Sequence, residues 1–297
     1  MDLRAEPVHH AHFRQRPVSS PDESSVLRFE NVSLTFNDGV RALDNVSLDL
    51  KAGQTLILFG EAGSGKSVLL KAATGLLRAD SGHIWLFDQE ITGLREDDLY
   101  EIRSRVGVLF QESALFDSQS VEENVAYPLE NQRSGGKRLS TKTPEEVQKK
   151  VTEALRFVEL EQTLTKFPSE LSGGMRRRVG IARASVTEPP LMLYDSPTAG
   201  LDPITANTIV ALIVKARDTR NTTSVIVTHR HQDGEMLANY RYNPESARLE
   251  HAPTDSGVHE STRFMVFREG KPVFEGTQEE LEQATDSYVA KFKAVRQ

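Results

Sequence analysis

Gly60-Glu61-Ala62-Gly63-Ser64-Gly65-Lys66-Ser67 fits the pattern G-x-x-x-x-G-K-[ST], whose glycines let the backbone curl until successive N–H groups point at phosphate oxygens. The apolar, β-prone run Thr55-Leu56-Ile57-Leu58-Phe59 precedes it and the helix-competent Val68-Leu69-Leu70-Lys71-Ala72-Ala73 follows, so the loop enters a helix whose positive end faces an anion. In such a loop Lys66 reaches the β and γ phosphates and the Ser67 hydroxyl holds Mg²⁺. About a hundred residues later Leu171-Ser172-Gly173-Gly174-Met175 reads as the N-terminal cap of a helix continuing to Ala184, a second anion site. Asp195 ends the apolar strand Leu191-Met192-Leu193-Tyr194, where a carboxylate can hold Mg²⁺ through water. Each piece has a plain alternative: a glycine-rich turn beside a surface lysine, or an aspartate capping the next turn. The pairing of the two glycine-rich signals carries more than either half.

From about Leu27 to Thr228, and again near Phe264, the residues resemble the nucleotide-binding subunit of an ATP-binding-cassette (ABC) transporter. Six motifs occur in the family's order, from the phosphate loop to Gln111 in Phe110-Gln111-Glu112 (Q-loop) and the signature Leu171 to Met175. Asp195 (Walker B), Ala199-Gly200-Leu201-Asp202 (D-loop) and His229 (H-loop), after Ser224-Val225-Ile226-Val227-Thr228, complete the series. The resemblance implies an α/β fold: a P-loop NTPase core with a mixed sheet, flanking helices and an antiparallel β edge, plus a helical subdomain. It implies that ATP stacks on Phe36 and is held by Gly60, Glu61, Ala62, Gly63, Ser64, Gly65, Lys66, Ser67 and Val68, with Mg²⁺ beside Ser67, Gln111 and Asp195. His229 contacts the γ-phosphate on this reading, while Ser172, Gly173 and Gly174 receive the γ-phosphate bound on a second subunit. The implied unit is a head-to-tail homodimer or heterodimer, with ATP between its subunits, attached to an integral-membrane permease.

One position departs from the family's pattern in a way that touches the chemistry. Most active members follow the Walker B aspartate with a glutamate that polarises the attacking water, whereas this chain has Ser196. A hydroxyl is no carboxylate base at neutral pH, and losing a positioned base lowers a rate by about 10²- to 10⁴-fold. Three readings stay open around the catalytic set Lys66, Gln111, Ser196 and His229: slow hydrolysis with Gln111, His229 and Asp202 of the partner subunit positioning the water; pairing with a competent ATPase subunit; or a switch in which ATP binding alone acts. Glu61 and Glu112 are close in sequence but neither stands at the base position.

The stretch Gly107 to Ser118, followed by Val121-Glu122-Glu123-Asn124-Val125-Ala126-Tyr127-Pro128-Leu129, is similar to the ATPases of Mla-type systems, which move phospholipid between bacterial membranes. The 297 residues carry a net charge of −7, which opposes reading Arg176-Arg177-Arg178 as a nucleic-acid patch and favours a solvated helix face or a dimer edge. An ABC protein acting on nucleic acid or ribosomes is disfavoured for the same reason, and no nucleic-acid partner is expected. No apolar run approaches the about 18–20 residues that cross a bilayer. Met1 to Ser25 lacks a signal peptide's apolar core, and the chain has no cysteine; the expected location is cytoplasmic, peripheral on the inner face of the cell membrane.

The expected layout is a disordered extension over 1–25, including His9, His10 and His12, then an ABC ATPase domain over 26–283, then a C-terminal helix over 284–297. The helical subdomain spans about 112–180, with a capping box at Ser120-Val121-Glu122-Glu123 and a helix from Pro144 to Leu160. A polar insertion spans about 234–263, a hairpin follows from Phe264 to Gly276, and Gln278 to Val295 reads as one amphipathic helix.

Overall fold

A computed structural model describes residues 25–131, 133–134, 137–138, 142–253 and 256–293. The first third contains β1 (Ser25–Thr35), β2 (Arg41–Lys51), β3 (Thr55–Gly60), α1 (Lys66–Ala73), β4 (Ser81–Leu86), β5 (Gln89–Glu90), α2 (Glu96–Arg103) and β6 (Val106–Leu109). The middle third contains α3 (Val121–Glu130), β7 (Arg133–Ser134), β8 (Lys137–Arg138), α4 (Pro144–Phe157), α5 (Gly173–Ser185) and β9 (Leu191–Asp195). The last third contains α6 (Pro203–Arg220), β10 (Thr223–Val227), α7 (His231–Asn239), β11 (Tyr240–Asn243), β12 (Arg248–His251), α8 (Val258–Ser261), β13 (Thr262–Arg268), β14 (Lys271–Gly276) and α9 (Gln278–Gln283).

The central sheet runs β14-β13-β3-β10-β9-β6, with β14 antiparallel to β13 and the rest parallel. Its middle strands are short apolar runs because they are covered on both faces. Successive residues alternate between the two covers. Ile57, Phe59, Met192, Tyr194 and Ile226 join the helices on one side. Leu56, Leu58, Leu191, Leu193, Val225 and Val227 join β1, β2, β4 and α1 on the other. The loops that leave the C-terminal edges of β3, β6, β9 and β10 therefore emerge together, the usual place for a ligand in an open α/β sheet.

The expected antiparallel edge is a separate four-stranded sheet, β2-β1-β4-β5, laid over one face of the core. The alternating sequence of β1 and β2 fits this placement, since each strand needs an inward apolar face without needing to extend the parallel ladder.

Helices α3, α4 and α5 pack together through Val121, Val125, Leu129, Val151, Leu155 and Val179. Both predicted helix starts are capped as read. The Ser120 side chain accepts from Glu123 N while Ser120 N donates to the Glu123 carboxylate, and Ser172 accepts from Met175 N.

Two expectations change after His229. Gly234 belongs to α7 rather than to a turn-rich insertion, and it is glycine where α7 packs on the core, since a Cβ there would lie 2.9 Å from Phe264 and 3.0 Å from Phe59. The rest of the insertion reads in sequence as a surface loop or hairpin, and it forms the hairpin β11–β12, clamped to α6 where Arg217 donates to the Leu237 and Tyr240 carbonyls. The single terminal helix is also corrected. Helix α9 ends at Gln283, Ala284 is extended, and a short 3₁₀ turn over Val289–Phe292 follows. Breaking the helix lets Phe292 stack on Phe59 at 5.8 Å. The N-terminal histidines lie outside the described residues, as do most of 132–141 and 294–297.

Candidate functional site

The phosphate loop connects β3 to α1 in a conformation that excludes side chains at two points. Gly60 has φ +148° and a Cβ on it would sit 2.5 Å from the Phe267 carbonyl oxygen; Gly65 has φ +105° and a Cβ there would sit 2.4 Å from the Ala42 oxygen. Only glycine fits such backbone. Lys66, 5% exposed, folds into this curl and its Nζ donates to the Gly60 and Glu61 carbonyls, both at 2.8 Å, and to Ser64 Oγ at 3.0 Å. Burial lowers the Lys66 ammonium to about 8, against an opposing pull from Asp195.

A cleft of about 690 Å³ opens over the loop. Phe36, Ala62, Gly63, Ser64, Gly65, Lys66, Ser67, Val68, Gln111, Ser196 and His229 line it, so the separate sequence motifs converge on one space. Gly60 and Glu61 adjoin it through the Lys66 ammonium, and Asp195 through a 3.3 Å hydrogen bond from Ser196 Oγ. The Glu61 carboxylate does not face the cleft; it pairs with Lys291 at 2.8 Å. Ser172, Gly173 and Gly174 are outside the cleft, at the N-terminus of α5.

Each functional side chain stands at an element's end. Phe36 follows β1 on a turn closed by its own N–H to the Val40 carbonyl, and is 40% exposed. Gln111 follows β6, Ser196 follows β9, and His229 follows β10. Ser196 holds φ +53° and donates its N–H to the Val227 carbonyl at 3.0 Å. His229 is depressed below the usual imidazole range, chiefly by burial and then by Lys66, while Gly60 and Asp195 pull the other way.

Within the arginine run Arg176 is exposed, whereas Arg177 leaves the solvated face. Arg177 is only 7% exposed and reaches the carbonyls of Phe110, Gln111 and Ala199, so one guanidinium on the signature helix grips both the Q-loop and the segment after Ser196. Arg183, two turns on, donates to the Ser113 and Ala114 carbonyls. Sequence also gave no signal for Arg41, Ala42, Glu269 and Gly270, which line the cleft from the start of β2 and from the β13–β14 turn. The role of Tyr288 is also not readable locally: its hydroxyl accepts from Glu61 N at 3.2 Å and donates to the Phe267 carbonyl, bracing the loop from the C-terminal segment.

The donor set fits Mg²⁺ and a polyphosphate. A loop too tight for Cβ atoms, a buried ammonium and the helix N-terminus suit phosphate oxygens. The hydroxyl of Ser67 and the carboxylate of Asp195 are the hard oxygen ligands Mg²⁺ prefers.

The ABC transporter family profile matches residues 43–199, and MlaF of Haemophilus influenzae, an intermembrane phospholipid transport system ATP-binding protein, is 35% identical over 262 residues, 88% of each chain. The chain belongs to the ABC transporter family. It carries that family's ATP-binding domain. The methionine import ATP-binding protein MetN of Carboxydothermus hydrogenoformans is 40% identical over 69% of this ABC chain, which spans 59% of the length of that relative. Among solved structures, the dimeric post-hydrolysis state of the ATP-binding cassette MJ0796 bound to ADP and Pi has a TM-score of 0.70 at 29% identity, covering 85% of this chain and 98% of that one. CbiO1 of Clostridium perfringens, part of the transporter complex cbiONQ, has a TM-score of 0.68 at 27% identity over 87% of this chain and 90% of its own. No helix among the described residues is long and apolar enough to cross a membrane.

Proposed function

We propose that this chain binds and hydrolyses ATP as the motor subunit of a membrane ABC transporter, and that the cargo is phospholipid. The observation that carries the nucleotide reading is the convergence of Phe36, Lys66, Ser67, Gln111, Ser196 and His229 on one cleft. Phe36 stacks on adenine, the loop from Gly60 to Val68 holds the phosphates, and His229 meets the γ-phosphate. Ser67, Gln111 and Asp195 hold Mg²⁺, which supplies charge neutralisation on the phosphates when bound. Gln111, His229 and Lys66 orient the water and the γ-phosphate in place of a carboxylate at Ser196.

Two chains are required on this reading, because Ser172, Gly173 and Gly174 cap α5 away from their own chain's cleft and serve a second subunit's nucleotide. The permease contact is the half-open groove of about 600 Å³ lined by Tyr100, Phe110, Phe116 and Tyr127 beside the Q-loop. The working position is thus the cytoplasmic face of the membrane, held there by the permease.

Phospholipid is favoured over methionine because the MlaF likeness runs through 88% of both chains, while the MetN likeness stops at 59% of MetN. Co-purification with a polytopic membrane protein, lost on substituting Phe116 and Tyr127, tests the transport reading; phospholipid but not methionine should stimulate turnover of that complex. Recovery of the chain free of any membrane partner contradicts it. Ser196 favours a second reading, a nucleotide-gated switch with little hydrolysis, and substitution of that residue separates the two.

A further inference from the structure

Asp233, in the first turn of α7, is 1% exposed and does not line the cleft. One of its carboxylate oxygens, Oδ2, accepts from Thr198 Oγ1 at 2.5 Å and from Thr228 Oγ1 at 2.6 Å. Thr198 lies two residues beyond Ser196, and Thr228 immediately precedes His229. The second oxygen, Oδ1, lies 3.1 Å from Arg230 Nη1 as a charge pair rather than an aligned hydrogen bond. Arg230 N closes the arrangement by donating to Thr228 Oγ1 at 3.1 Å.

Strands β9 and β10 are in register, with Asp195 opposite Val227, and their ladder ends with the bond from Ser196 N to the Val227 carbonyl. Beyond that point the two loops have no shared ladder, yet one presents Ser196 and the other His229 to the same cleft. We propose that Asp233 is the positioning residue of this site, a buried carboxylate that ties the loop bearing Ser196 to the loop bearing His229 through the hydroxyls of Thr198 and Thr228. The tie is made behind the cleft, so Asp233 touches no nucleotide and acts only through the two loops. Burial raises its carboxyl above the usual range, while the threonine hydroxyls and Arg230 draw it back, so the buried group has compensating partners.

A site that lacks a carboxylate base depends more on the placement of its other groups, and an error of about 1 Å in such placement lowers a rate by about a hundredfold. This inference rests on the ATP-hydrolysis reading for its kinetic form. The experiment compares ATPase kinetics of the full chain as native protein, D233A, T198V/T228V, the combined triple variant and T198S/T228S, with K66A as the background. The expected result is a fall in kcat of about 10- to 100-fold in D233A and in T198V/T228V, with KM within about twofold. The triple variant should lose no more than D233A, because all three groups act as one unit, and T198S/T228S should restore turnover. Native kcat in T198V/T228V, or losses that multiply in the triple variant, overturns the proposal. The T198V and T228V single variants are measured alongside, so a double variant that fails to fold leaves two readable comparisons.

Native protein without Lys66-dependent turnover refutes the ATPase reading rather than the tie. Amide exchange then decides the tie. Faster exchange over 196–199 and 228–230 in T198V/T228V than in T198S/T228S supports it, and equal exchange overturns it.

Discussion

Raising the pH from 7 to 9 should weaken ATP binding through Lys66. Its ammonium is buried against the Gly60 and Glu61 carbonyls, and burial lowers it to about 8. The sign follows from which form binds: phosphate oxygens select the charged ammonium, so a bound polyphosphate raises this value and binding above pH 8 takes up a proton. At pH 7 the free protein is mostly charged at Lys66, whereas at pH 9 about one molecule in ten is, so affinity falls by at most about tenfold between them. Solvent in the open cleft screens part of this, which makes tenfold the upper figure. Calorimetric titration with a non-hydrolysable ATP analogue at pH 7, 8 and 9, in two buffers of different ionisation enthalpy, measures both quantities. Proton uptake that grows through pH 8 and is absent in K66A is expected. Affinity flat from pH 7 to 9 with no Lys66-dependent uptake refutes the reasoning.

Three further outcomes follow from the same geometry. G65A should abolish nucleotide binding and lower stability by about 2–4 kcal/mol, since the residue needs φ +105° and its Cβ meets the Ala42 oxygen at 2.4 Å; thermal unfolding and nucleotide titration measure it. R177A should remove a buried guanidinium and the donor shared by the Phe110, Gln111 and Ala199 carbonyls, lowering the unfolding temperature by about 2–4 °C and reducing turnover, with an unchanged melting curve as the contrary result. S120A removes the cap of α3 and should cost about 1 kcal/mol in denaturant unfolding while ATP affinity is unchanged, because the box lies away from the cleft.

The phosphate loop was legible because its glycines, its strand and its helix are contiguous, so one short stretch contains the whole local argument. The caps at Ser120 and Ser172 were legible for the same reason, each being a bond between residues three apart. What the sequence hid depends on distant partners. Three consecutive arginines look solvated until α5 turns Arg177 toward a carbonyl 66 residues away. Gly234 looks like a turn residue until Phe59 and Phe264 occupy the place its side chain would take. Tyr288 falls in a stretch that reads as one amphipathic terminal helix, yet its hydroxyl meets the loop at Glu61, 227 positions earlier. The convergence of Gln111, Ser196 and His229 follows from parallel strand order. Local pattern reveals the strands but not their sequence across the sheet.

Steady-state ATP hydrolysis by the purified full chain with its membrane partner, as native protein, K66A and S196E, tests the central claim most directly. The account predicts native turnover that K66A abolishes and that S196E accelerates, by up to the about 10²- to 10⁴-fold a positioned base supplies. Absence of Lys66-dependent hydrolysis in the native protein would contradict it, and its appearance in S196E alone would favour the nucleotide-gated switch.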